Sequence, residues 1–150
     1  MAMRAGSPLF VDTNVLVYFT FIHFAEHQPA RQRIAKCESL PAVLWTSRQV
    51  LREFLAVATQ PGFLTPLPPF TFLADAVRAF ENQFQVAADD AEVTALLLEL
   101  AENPGARGKQ VHDANIVATL RRHRISHLLT HNITDFRRYA PWVTVVPLIP

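Results

Sequence analysis

An α/β fold, a three-layer α/β/α sandwich around a central parallel sheet of about five strands, is what the sequence predicts. Short all-apolar runs such as Leu9-Phe10-Val11 alternate with longer stretches of helical periodicity. Runs without polar alternation suit strands buried on both faces, and parallel strands need crossovers, which helices supply. Composition agrees: 150 residues, 50% hydrophobic and 18% charged, suffice for one sizeable core, so a single domain over residues 1–150 is expected.

Taken in order, Leu9-Phe10-Val11 is the first strand, and helices follow from Asn14 to Phe21 and from Glu26 to Leu40, where Pro29 falls in a tolerated first-turn position. Pro41 opens Ala42-Val43-Leu44-Trp45, the second strand. Ser47 is the expected N-cap of a helix running to Thr59, stopped by Pro61-Gly62. The proline-dense stretch from Pro61 to Pro69 is too short for a domain linker and reads as a rim loop. A helix over Phe70 to Asn82 leads to a third strand, Phe84-Gln85-Val86. Asp89 with Glu92 forms a capping-box signature for a helix to Glu102. After a loop carrying Pro104, Gly105 and Gly108 come a helix from His112 to Arg122, a strand at Leu128-Leu129, a short helix from Ile133 to Tyr139, and a fifth strand from Val143 to Val146.

No run approaches the roughly 20 apolar residues of a membrane span, and Met1 to Gly6 lacks a signal-peptide core, so no membrane association and a cytoplasmic location are expected. The single cysteine, Cys37, excludes a disulfide framework and a thiolate metal cluster. Fourteen basic residues against thirteen acids give a net charge of +1, which leaves nucleic-acid binding to the placement of the charges.

In parallel sheets ligands bind beyond the carboxyl ends of the strands. Asp12 directly follows the first strand, and Asn14 is placed to hold its loop by hydrogen bonds; alone, Asp12 reads equally as a helix cap. Glu53 borders the apolar stripe of its helix, with Val50 and Val57 at i−3 and i+4, or else pairs with Arg52 or Arg48. Asp113 opens a helix whose Ile116, Val117 and Leu120 share its face; a first-turn acid answering the helix dipole is the plainer reading. Thr130 and Asn132 follow the fourth strand, with Asp135 one turn later; Asn132 as a cap is the alternative there. Jointly these acids repel one another in a low-dielectric pocket and call for divalent cations, and hard oxygen donors select Mg²⁺ or Mn²⁺. Such a site suits phosphodiester hydrolysis.

Four segments carry a resemblance over nearly the whole chain: Phe-Val-Asp-Thr-Asn-Val-Leu-Val-Tyr at 10–18, Thr-Ser-Arg-Gln-Val-Leu-Arg-Glu-Phe at 46–54, His-Asp-Ala-Asn-Ile-Val-Ala-Thr at 112–119 and Leu-Leu-Thr-His-Asn-Ile-Thr-Asp-Phe at 128–136. In this order and spacing they resemble the motifs of PIN-domain ribonucleases, specifically VapC-type toxins of bacterial toxin-antitoxin pairs. The resemblance implies a Mg²⁺- or Mn²⁺-dependent endoribonuclease acting on RNA, with tRNA among the substrates to test, usually a homodimer and held inactive by a cognate antitoxin. Asp12, Glu53 and Asp113 match the three core metal-binding acids. Many relatives have an acid where this chain has Asn132; Asp135 matches the acid of the Asp-Phe pair that follows and is the expected fourth carboxylate, with Asn132 a polar contact beside it.

Arg121, Arg122 and Arg124, with Arg137 and Arg138, form the dense basic groups. Arg121 and Arg122 are the expected RNA contacts, against a plainer role in answering the helix dipole. His112 and His131 flank the acids without the i, i+4 pairing of an imidazole metal site. Phe19, Phe21, Ile22 and Phe24 read as core, or as a dimer or antitoxin surface. A receiver domain would need a lysine at a later strand end, but the lysines are Lys36 and Lys109; a haloacid-dehalogenase-type phosphatase wants an aspartate where Asn14 stands. Gly105 to Lys109 fails the spacing of a phosphate loop. The remaining alternative is a non-catalytic member of the same fold, an RNA-binding or antitoxin-binding module.

Overall fold

The computed structural model describes residues 6–39 and 43–150. Five strands, β1 (Pro8–Val11), β2 (Val43–Ser47), β3 (Gln85–Ala87), β4 (His127–Thr130) and β5 (Thr144–Pro147), form one parallel sheet in the order β3-β2-β1-β4-β5. The helices are α1 (Thr13–Thr20), α2 (His27–Ser39), α3 (Arg48–Ala58), α4 (Phe70–Gln83), α5 (Ala91–Leu100), α6 (Gln110–Arg122) and α7 (Ile133–Phe136). The expected α/β sandwich is thus the observed fold.

The strand order reverses direction at β1. Right-handed crossovers therefore send α1 to α4 to one face and α5 to α7 to the other. The packing agrees, with α1 on α2 and α3, and α5 along α6. The reversal makes the crevice between the carboxyl ends of β1 and β4 the topological switch point, where ligands bind in such sheets. Beneath it, β1 is buried from Leu9 to Val11 and β4 from Leu128 to Thr130. On the α3 side, Phe54 has no exposed surface; it lies parallel to Phe21 at 6.1 Å and edge-on to Phe80 at 5.4 Å.

Several boundaries differ from expectation. The cap of α5 is Asp90, not Asp89: Asp90 is extended and its Oδ1 accepts from the Val93 amide at 3.1 Å. Glu92 then sits too early to close a capping box and pairs with Arg122 instead. α5 ends at Leu100 rather than Glu102. A π-type stretch over Ala101–Gly105 follows, broken at extended Asn103 (φ −145°, ψ 116°), because proline pushes the residue before it out of the helical region. α6 starts at Gln110, ahead of His112, and Gln110 Oε1 accepts from the Arg107 amide at 3.1 Å. The stretch from Ile133 to Tyr139 is α-helical to Phe136 and 3-10 over Arg137–Tyr139. β3 starts at Gln85 because the Phe84 amide still bonds the Phe80 carbonyl of α4. Ser47 caps α3 as expected, accepting from the Val50 amide at 3.3 Å. The expected ends at Leu40, Pro41 and Ala42 lie outside the described residues.

Candidate active site

Asp12 stands where β1 becomes α1. As N-cap it accepts from the Thr13 amide at 2.8 Å through Oδ1; Oδ2 accepts from the Thr130 hydroxyl at 2.7 Å and from Asn14 Nδ2 at 3.2 Å. Asn14 fastens the other strand as well, donating to Thr130 Oγ1 at 3.2 Å and accepting from the His131 amide at 3.0 Å. The ends of β1 and β4 are thus clamped across the switch point. Asp12 is 5% exposed, and its carboxyl is pushed up to about 6. Burial is the largest cause and the Glu53 charge adds to it, while the three hydrogen bonds oppose it.

Glu53 reaches the same cleft from α3. Its Oε2 accepts from the Thr13 hydroxyl at 2.9 Å and its Oε1 from Gln49 Nε2 at 2.8 Å. Gln49 is buried, donates also to the His112 carbonyl at 2.8 Å, and accepts from Asn115 Nδ2 at 2.7 Å. Neither arginine weighed as a partner for Glu53 pairs with it: Arg48 pairs with Glu81, and Arg52 lines the cleft. Asp113 sits in the first turn of α6, half-buried, with its carboxyl raised to about 7. Burial is again the largest cause, followed by the charges of Asp12, Asp135 and Glu53; Arg138 opposes them.

The cleft has a volume of about 790 Å³, and Asp12, Glu53, Asp113 and Asn132 all line it. Asp135 is exposed, does not line it, and accepts from Asn132 Nδ2 at 2.6 Å. Asn132 therefore faces the cleft at the fourth place, with Asp135 behind it adding charge.

Arg121 and Arg122 are not brought to the acids. They occupy the last turn of α6, with Arg121 about 12 Å along the axis from Asp113 at 1.5 Å per residue. Both are engaged there, Arg121 with Glu99 at 3.5 Å and over the Trp142 ring, and Arg122 with Asp90 and Glu92 at 3.1 Å each. The cations that line the cleft are Arg52 and Lys109. His131 points its Nε2 at Glu26, 3.8 Å away. Sequence reasoning also gave no role to Thr13 and Gln49; the i−4 spacing of Gln49 from Glu53, which puts both on one helix face, was the available signal.

Among the described residues, no three acidic, imidazole or thiol side chains converge closely enough to bind an ion as they stand. The donor set nonetheless fits a hard divalent cation: neighbouring negative charge raises the proton affinity of Asp12 and Asp113, and none of the three carboxylates is ion-paired among the described residues.

The raised carboxyls set a pH dependence. Unfolded aspartates titrate near 3.8, so between about pH 4 and 7 the folded chain binds more protons than the unfolded one, and stability falls as pH rises through that window. Thermal unfolding in EDTA is expected to show a lower midpoint at pH 8 than at pH 5, with Asp12 alone contributing on the order of 2 kcal/mol. The Asp12→Asn variant is expected to reduce the difference, leaving the part that Asp113 contributes.

A doubly covered parallel sheet with an acid-lined cleft at its switch point defines the class of protein. A family model for the PIN domain matches residues 9–140. The chain belongs to the PIN-domain family. Ribonuclease VapC24 of Mycobacterium tuberculosis is 26% identical over 133 residues, covering 88% of this chain and 91% of that protein. Similar folds occur in VapBC-1 from nontypeable Haemophilus influenzae (TM-score 0.69, 16% identity, 95% of this chain and 99% of that one) and in a toxin-antitoxin complex from Klebsiella pneumoniae (0.65, 23%, 95% and 98%). Mycobacterium tuberculosis VapC20, a sarcin-ricin-loop-cleaving toxin, superposes with TM-score 0.63 at 21% identity over 80% of this chain and 86% of its own.

Proposed function

We propose that the chain is a Mg²⁺- or Mn²⁺-dependent endoribonuclease acting as the toxin of a toxin-antitoxin pair. One observation carries the reading: Asp12, Glu53 and Asp113, from three separate elements, face one cleft at the switch point with no cationic side chain paired to them among the described residues. The PIN family match and the ribonuclease relative support the activity, and the toxin-antitoxin structures with this fold support an antitoxin partner. A homodimer and a cytoplasmic location belong to the same reading. No described helix is long and apolar enough to cross a membrane.

Asp12, Glu53 and Asp113 would hold the ion, with Asn132 and Asp135 at the fourth place. A bound divalent ion supplies Lewis-acid polarisation of a phosphate and acidification of water. The chain's own part is orientation. Thr130, Asn14 and the Thr13 amide fix the Asp12 carboxylate, while the Thr13 hydroxyl and Gln49 hold one oxygen each of Glu53.

The reading is tested by incubating purified protein with total RNA, tRNA included. Cleavage that needs Mg²⁺ or Mn²⁺ and stops with EDTA is expected. RNA binding without cleavage would favour the non-catalytic module, for which Asn132 in the cleft is the favouring observation.

Gln49 gives a subsidiary expectation. Gln49→Leu leaves Glu53 Oε1 without its donor and is expected to weaken Mn²⁺ binding roughly 10-fold or more by calorimetry, the usual cost of losing a partner that orients a ligand. Unchanged affinity would remove Gln49 from the site.

A further inference from the structure

Carboxylates are not all that lines the cleft. Its lining also holds three aromatic side chains, Tyr18 from α1, Phe24 from the turn after it, and Phe63 from the loop after α3, together with Val57. The rings brace one another, Tyr18 against Phe24 at 5.4 Å and 66°, and Phe24 against Phe63 at 5.4 Å and 32°. His131 meets Tyr18 edge-on at 5.6 Å, and the His27 ring contacts the Tyr18 carbonyl at 2.8 Å. All three aromatic side chains are half-buried, so surface remains open to the cleft. Arg52 and Lys109 line the same space, exposed, their side chains without an ion-pair or hydrogen-bond partner among the described residues.

We propose that the Tyr18, Phe24 and Phe63 wall is a nucleobase subsite, stacking one unpaired base of a nucleotide that adjoins the scissile phosphate, with Arg52 and Lys109 neutralising the flanking phosphates. It rests on the nuclease reading above and adds to it a base-contacting wall in the same cleft as the acids. Braced rings beside a phosphate-directed site fit a base, which offers a flat π face of matching size whatever its sequence. Bases inside an A-form duplex are stacked on one another and cannot reach such a wall; bases splayed from loops can. An apolar peptide side chain would fill the aromatic part but bring no phosphate to Arg52 and Lys109, whose side chains pair with none of the cleft carboxylates. The cleft volume, about 790 Å³, lies in the range that holds small ligands such as a nucleotide.

The test uses a single-stranded oligoribonucleotide that the protein cuts, with an abasic residue placed on either side of the cut. Wild-type kcat/KM is expected to fall roughly tenfold or more at one of the two positions, the scale of losing one stacked base. Phe63→Leu, a loop substitution that keeps an apolar side chain against the core, is expected to shrink that penalty to about two- to threefold, because little stacking is left to lose. An equal penalty in both proteins, or none in wild type, overturns the subsite. A second readout needs no turnover: in a series of single-stranded oligoribonucleotides carrying 2-aminopurine at successive positions, at least one is expected to be quenched on binding the Asp12→Asn protein, and less so when Phe63→Leu is added. Quenching by a protein whose wild type cuts no RNA would sink the nuclease reading and leave the subsite standing. Cleavage without quenching would do the reverse. Absent quenching, together with protection of the Phe63 segment from hydrogen exchange in an antitoxin complex, assigns the wall to a protein partner and also overturns the subsite.

Discussion

Replacing Asp12 by asparagine is expected to lower metal-dependent RNA cleavage on the order of 10³-fold, because a lost ligand forfeits several kcal/mol of charge stabilisation in the transition state. The fold is expected to survive in EDTA. Asparagine keeps an oxygen for the Thr13 amide, and its amide group can donate to the Thr130 hydroxyl by taking the place of Asn14 Nδ2, since that oxygen already accepts from Asn14 and from the Asn132 amide. The contact with Asn14 Nδ2 is lost, but so is the burial of a charge at a position only 5% exposed. The unfolding midpoint in EDTA at pH 8 should therefore equal or exceed that of wild type. Full activity in the variant would dismiss Asp12 from the chemistry, whereas lost activity with a collapsed midpoint would give it a structural role only.

The largest loss of stability is expected at Phe54, one residue beyond Glu53. Phe54→Ala removes a fully buried ring lying against Phe21 and Phe80, at about 3–5 kcal/mol for such a truncation. Against the roughly 5–15 kcal/mol that holds a typical domain together, that is a large share. Urea unfolding should show a lower midpoint with an unchanged slope. Phe54→Leu, closer in volume, should cost about 1.5 kcal/mol or less. Equal costs for the two would mean that the Phe21 and Phe80 rings close over the gap.

Much of this was legible in the sequence because the signals are local. Short, largely apolar strands of two to four residues identified the parallel sheet, and the residue after the strand located Asp12 and Thr130 at its carboxyl edge. Ser47 announced α3 because a cap needs only its own helix. What failed depended on partners distant in sequence. Asp89 and Asp90 are equivalent as text, and only the approach of Arg122 and Asn115 tells them apart. Arg121 and Arg122 form a basic cluster in the sequence, yet the length of α6 carries them away from Asp113, and acids of α5 or its cap engage them. Lys109, an isolated cation in an unremarkable loop, lines the cleft because of where α6 begins. Gln49 acquires its place only when α3 meets the first turn of α6.

The clamp between Asp12 and Thr130 joins residues 118 positions apart. As the chain is made, Asp12 and Glu53 emerge early, but Asp113 and the hydroxyl that fixes Asp12 belong to the last third. A partly synthesised chain that ends at β3 carries two of the carboxylates and none of the closure. The first and last motifs therefore become a site together, when β4 slides in beside β1. Under the proposed reading, a copy that stops short of β4 lacks Asp113 or the hydroxyl that fixes Asp12, and the β1 to β4 seam is where the site closes.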